Sequence, residues 1–160
     1  MRKRIIGFDQ VTEWRNEEWL DLAKLAEVEV TSEDDLFPIE SALLPGANRG
    51  WRAAGAGKQT IRIIFDQPQK LSRIFVTFEE LENARTQEFV LRWTTGIGDA
   101  YREIVRQQWN FGPPETVREV EDYRVQLSNV KVLELVIQPE ITAGQAVASL
   151  VQLRLAYGED

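Results

Sequence analysis

The 160-residue sequence contains no cysteine and no histidine. Without cysteine there is no disulfide framework and no thiolate metal site. Without histidine the commonest general base and the commonest metal ligand are gone as well. Zinc chemistry and Ser-His or Cys-His catalysis are excluded for this chain alone, so an enzyme built on it would have to rely on carboxylates. Long apolar runs are also missing. None approaches the roughly 20 residues that span a bilayer, and no membrane partner is expected. The start, MRKRIIGFDQ, is basic, but acidic and polar residues arrive before a signal-peptide core can form. Export is therefore not encoded in these residues, and a cytoplasmic location is expected. A basic field is lacking too. The formal net charge is −7, which argues against general nucleic-acid or anionic-membrane binding.

What is present is an ordinary globular composition, 43% hydrophobic and 28% charged, long enough for one domain with a real core. The first residues read differently from the rest. TEWRNEEWLDLAKLAE offers Thr12 as a helix N-cap and spaces Trp14, Leu22 and Leu25 unevenly. This predicts a short helix or turn that packs Trp14 and Trp19 on the body, within an extension over 1–26. AEVEVTSE alternates as a first strand, opening a domain over 27–160. PIESALLPG holds one helical turn between Pro38 and Pro45.

From residue 59 the hydrophobic period is two. TIRIIFD places Ile61, Ile63 and Phe65 on one face, and RIFVTFEE does so with Ile74, Val76 and Phe78. EFVLRWTT repeats the pattern with Phe89, Leu91 and Trp93. YREIVRQQWNF, VEDYRVQL, KVLELVIQP and ASLVQLRLAYG continue it, while QPQK and GIGD read as turns. This spacing predicts an all-β fold: a single β-sandwich of about eight antiparallel strands with a short helical or irregular N-terminal segment.

The order of these signals resembles the galactose-binding-like, discoidin (coagulation factor type C) jelly-roll superfamily. RGWRA resembles its loop tryptophan, and KQTIRIIFDQPQKLSRIFVTF its core hairpin. EFVLRWTTGIGDAYREI resembles the strand, turn and strand that follow. VKVLELVIQPE and LVQLRLAYG resemble the closing strands. The resemblance implies a jelly roll and a non-catalytic binding module, in a superfamily whose members bind sugars, lipids, proteins or DNA-repair partners. Two marks of its secreted members are absent. LLPGANRGW stands where an Asp-Gly turn often accompanies a structural calcium, and there are no flanking cysteines. No cofactor is expected, although a calcium site of carboxylate and carbonyl oxygens stays open.

The stretch ANRGWRAAGAGK carries the first candidate site. GAGK is not a phosphate loop: Arg52 occupies the early glycine position, Gln59 follows Lys58, and a strand rather than a helix comes next. Trp51 reads either as a plug on the sandwich core or as a stacking platform for a sugar ring. Arg49 and Arg52 beside it could donate to hydroxyls or to an acidic substituent, or could pair with acidic loops. In EELENARTQEF, Glu80 and Arg85 could likewise hold a polyol, against the reading of a solvated acidic turn. Trp109 in RQQWNFGPPE is expected in the core. The candidate ligand-binding set is therefore Arg49, Trp51, Arg52, Glu80 and Arg85, with no catalytic residue and no metal ligand. A carbohydrate is the expected partner and a protein the alternative; a carboxylate-dependent glycosidase is the minor reading.

Overall fold

The computed structural model describes residues 19–46, 49–142 and 144–158. Two single helical turns, α1 (Leu22–Leu25) and α2 (Glu40–Leu43), accompany eight strands. These are β1 (Ala26–Val30), β2 (Trp51–Ala56), β3 (Gln59–Glu79), β4 (Arg85–Thr94), β5 (Arg102–Phe111), β6 (Arg118–Gln138), β7 (Val147–Leu150) and β8 (Gln152–Tyr157). Thr12 and Trp14 lie outside the described residues. Trp19 bridges to Ala156, and Leu20 donates its amide to Leu155 O at 2.8 Å, which fastens this segment along β8.

The architecture is an antiparallel β-sandwich built on two unusually long strands. The first part of β3 pairs with β1 and with the last part of β6, and β4 and β5 extend that sheet in the order β1-β3-β6-β4-β5. Beyond a break in register, the second part of β3 pairs with β8 and with the first part of β6. β2 pairs with β7. Each long strand therefore serves both layers.

QPQK is a bend inside β3 rather than a turn between strands. Pro68 has no amide to donate, so ladder pairing lapses there, and the register shifts between Ile64 and Gln69. The carbonyls released by the bend are not left bare. Lys131 Nζ donates to Phe65 O at 2.6 Å and to Asp66 O at 3.1 Å. Opposite the bend, Asn129 on β6 takes a φ of 58°, a left-handed conformation that asparagine tolerates better than most residues.

The period-two faces are where the pattern put them. Ile61, Ile63, Phe65, Ile74, Val76, Phe78, Phe89, Leu91 and Trp93 are all buried in one core. The Phe78 and Phe89 rings meet at 5.0 Å between centroids. The outward face of the larger sheet is held differently. Register places Glu29, Arg62, Glu134, Arg92 and Glu103 in one row across five strands, alternating in charge. Glu134, at its centre, is covered by its neighbours: Arg62 Nε bonds Oε2 at 2.8 Å and Arg92 Nε bonds Oε1 at 2.8 Å. A strand slipped by one residue would put like or unmatched groups in that row, so it specifies register.

Candidate functional site

Half of the glycine-rich stretch is strand β2, because pairing with β7 overrides the weak strand preference of its Ala and Gly residues. Gly50 feeds the chain into it at φ 73°, and a Cβ there would stand 2.6 Å from Leu150 O. Only glycine allows that approach. The strand then alternates: Trp51 and Ala53 point in, and Arg52 points out.

Trp51 is 1% exposed, and its Nε1 donates to Ser32 O at 3.0 Å. The ring faces lie in the core, so Trp51 is a plug and not a stacking platform. Arg52 is exposed, with its guanidinium 4.9 Å from the centre of the Phe37 ring. Arg49 is exposed as well but does not line the cleft described next.

Arg52, Glu80 and Arg85 converge on one cleft of about 540 Å³. One wall is the β3–β4 loop, Glu79 to Ala84, and the other is the β6–β7 loop around Glu140, Gly144 and Gln145. Arg52, Val147 and Ser149 close the side. No aromatic ring lines it among the described residues.

Arg85 was expected to reach a ligand, but it is 5% exposed and its Nε and Nη1 donors are committed to protein. Its Nε donates to Glu80 Oε1 at 2.8 Å, and its Nη1 donates to Pro139 O at 2.9 Å and to Gln87 Oε1 at 3.0 Å. The guanidinium also sits 4.7 Å from the centre of the Phe111 ring. It fastens the two walls together. Glu80 is likewise structural: its Oε2 accepts the amides of Glu82 and Asn83 at 3.0 and 3.3 Å. Burial alone would raise its carboxyl, but the Arg85 bond and these two amides outweigh it and hold the group below the ordinary carboxylate range. Glu140 does the same for the opposite wall. Its oxygens accept from the Thr86 and Thr142 amides and the Thr142 hydroxyl, and these bonds outweigh burial to keep its carboxyl low.

With all four oxygens of Glu80 and Glu140 accepting hydrogen bonds and both carboxyls held low, the two carboxylates hold the walls. The groups left to meet a ligand are Arg52, Glu82, Asn83, Gln145 and Ser149, whose side chains make no hydrogen bond to another described residue. Asn83 and Glu82 were within reach of sequence reasoning as part of ENART; Gln145 and Ser149 carried no signal, because only the fold brings β7 to this loop.

Beneath the cleft lies a residue that the sequence reading passed over. In VEDYRVQL the period of two puts Tyr123, Val125 and Leu127 on one strand face, and continuing that face backwards reaches Glu121 and Glu119. Glu119 is fully buried, and neither carboxyl oxygen makes a well-formed hydrogen bond among the described groups, although Glu121 and Gln87 stand close enough to act on its carboxyl. Burial, and then the adjacent Glu121, push its carboxyl up to about 8. Trp109 packs half-buried against the core, directly opposite Gln87. Among the described residues no group of three carboxylates gathers as a metal site.

No protein-family model matches the sequence, and no curated protein does. Solved structures match in fold. A family 32 carbohydrate-binding module of Clostridium perfringens NanJ, in complex with galactose, aligns with a TM-score of 0.63 at 14% identity, covering 86% of this chain and 97% of that one. A second family 32 module, from a family 31 glycoside hydrolase of C. perfringens, aligns at 0.61 and 19% identity over 89% of this chain and 96% of its own. XRCC1, solved bound to the DNA polymerase β catalytic domain, aligns at 0.58 and 13% identity over 84% and 97%. The chain thus shares the β-sandwich fold of these modules.

Proposed function

We propose that this chain is a non-catalytic carbohydrate-binding module whose ligand occupies the cleft between the β3–β4 and β6–β7 loops. The observation that carries this reading is the construction of the cleft. Its walls are held rigid by Arg85, Glu80 and Glu140, while Arg52, Glu82, Asn83, Gln145 and Ser149 are left to donate and accept. Fixed walls with unspent polar groups suit a hydroxyl-rich ligand, which needs several directed hydrogen bonds and little buried apolar area. Likeness to modules solved with galactose and with GalNAc supports the same reading. Arg85 is buried and bonded to Glu80, so among the described residues Arg52 is the exposed cation of the cleft, whose lining also carries Glu79, Glu80, Glu82 and Glu140. That balance favours a neutral sugar over an acidic one. With no ring to stack on, a single cleft binds modestly and gains from presentation in several copies.

The test is a ¹⁵N chemical-shift titration with galactose and N-acetylgalactosamine. Shifts should cluster at Arg52, Glu82, Asn83 and Gln145. Arg52→Ala and Asn83→Ala should each weaken binding severalfold with no change in melting temperature. Binding that persists unchanged in both variants, or shifts confined to another face, would overturn the assignment.

A further inference from the structure

Arg85 reaches three ways at once: to Glu80 on one wall, to the Pro139 carbonyl on the other, and to Gln87, which points into the sandwich. Behind Gln87 the buried interior turns polar. β6 contributes Glu119, Glu121 and Tyr123, β4 contributes Arg85 and Gln87, and β5 contributes Trp109. Gln87 Nε2, Trp109 Nε1 and both oxygens of Glu119 are buried and make no well-formed hydrogen bond among the described groups. The ionisable groups facing Glu119 are Glu121 and Tyr123 on its own strand and Arg85 on β4. β5 presents Trp109 and β3 presents Phe78, neither of which titrates.

We infer that Glu119 is a positioning residue for the cleft: protonated, it leaves Arg85 to tie the two walls together, and ionised, it competes with Glu80 for that guanidinium. This rests on the reading of the cleft as the ligand site. A carboxylate in the buried corner attracts a nearby cation more strongly than one at the solvated wall. Glu80 can also fall back on its two amides, so the β3–β4 loop is the part that loosens. Burial and the Glu121 carboxylate place the transition near 8.

The experiment is a pH titration of protein labelled with ¹³C at glutamate carboxyls and ¹⁵N at amides. Glu119 should titrate far above the other glutamates. The amides of Glu82 and Asn83, which bond Glu80, should shift with the same midpoint, and Glu119→Gln should abolish their transition. With N-acetylgalactosamine as probe, affinity should fall about threefold or more across that midpoint in wild type and stay flat in Glu119→Gln. Titration of Glu119 in the ordinary carboxylate range overturns the inference, as does an amide transition that survives Glu119→Gln. If the amides follow Glu119 but the sugar never binds, the positioning role stands and the carbohydrate reading falls. If the sugar binds equally well across the midpoint, the reverse holds.

Discussion

Replacing Glu119 by glutamine has a stability consequence large enough to measure without any ligand. The side chain is fully buried, and burial followed by Glu121 raises its carboxyl from the ordinary 4.5 to about 8. Between those values the folded state holds a proton that the unfolded state has released. Stability is therefore full below the unfolded pKa and declines as pH rises toward the folded one. At about 1.4 kcal/mol per pH unit, holding that proton up to about pH 7 costs roughly 3 kcal/mol. Glutamine has the same shape and no proton to hold. Its amide brings new donors that the corner must satisfy, which offsets part of the gain. The expected result near pH 7 is a stabilisation of about 2 kcal/mol, or roughly 4–8 °C in melting temperature at this chain length. Near pH 4 the two proteins should be about equally stable, because the acid is then protonated in both states. Tyr123, pushed upward by burial and the same two carboxylates, stays neutral throughout this window and adds no second transition. Urea denaturation at several pH values from acid to weakly alkaline reads the difference directly. Parallel stability curves for wild type and variant would refute the buried-acid argument.

Trp51→Ala should destabilise the fold by about 3–5 kcal/mol, since it empties a core position and strips the Ser32 carbonyl of its donor; a soluble variant with an unchanged urea midpoint would show the ring is not a plug. Gly50→Ala should cost about 2–3 kcal/mol, because a Cβ at that positive φ meets the Leu150 carbonyl and strains the β2–β7 pairing. A thermal melt reads this one, and an equal melting temperature would contradict it. Glu134→Gln should cost roughly 1–3 kcal/mol by leaving Arg62 and Arg92 without their shared carboxylate on the sheet face. The loss should shrink at high salt, and denaturation with and without added sodium chloride checks both halves of the expectation.

The strand faces could be read from the sequence because alternation is local. Each of Ile61, Ile63 and Phe65, or Phe89, Leu91 and Trp93, needs only its own neighbours to declare which side is buried. The same locality made QPQK look like a turn. A proline between two alternating runs is equally compatible with a hairpin and with a bend in one strand, and only the pairing of β6 along both halves of β3 decides between them. The plug role of Trp51 and the buried role of Arg85 were also undecidable locally, since each depends on chain that arrives from far away. Ser32 lies 19 residues before Trp51, and Pro139 lies 54 residues after Arg85. The residue types in the cleft were visible in ENART, but their division of labour was not. Whether a carboxylate or guanidinium is spent on holding a wall or left for a ligand depends on which backbone amides and carbonyls the fold brings within about 3 Å of it. The period-two pattern of the sequence therefore determined the sandwich and its core. Only the tertiary structure, by closing the loops of β3–β4 and β6–β7 around Arg85, decided where a ligand could sit and which side chains were free to hold it.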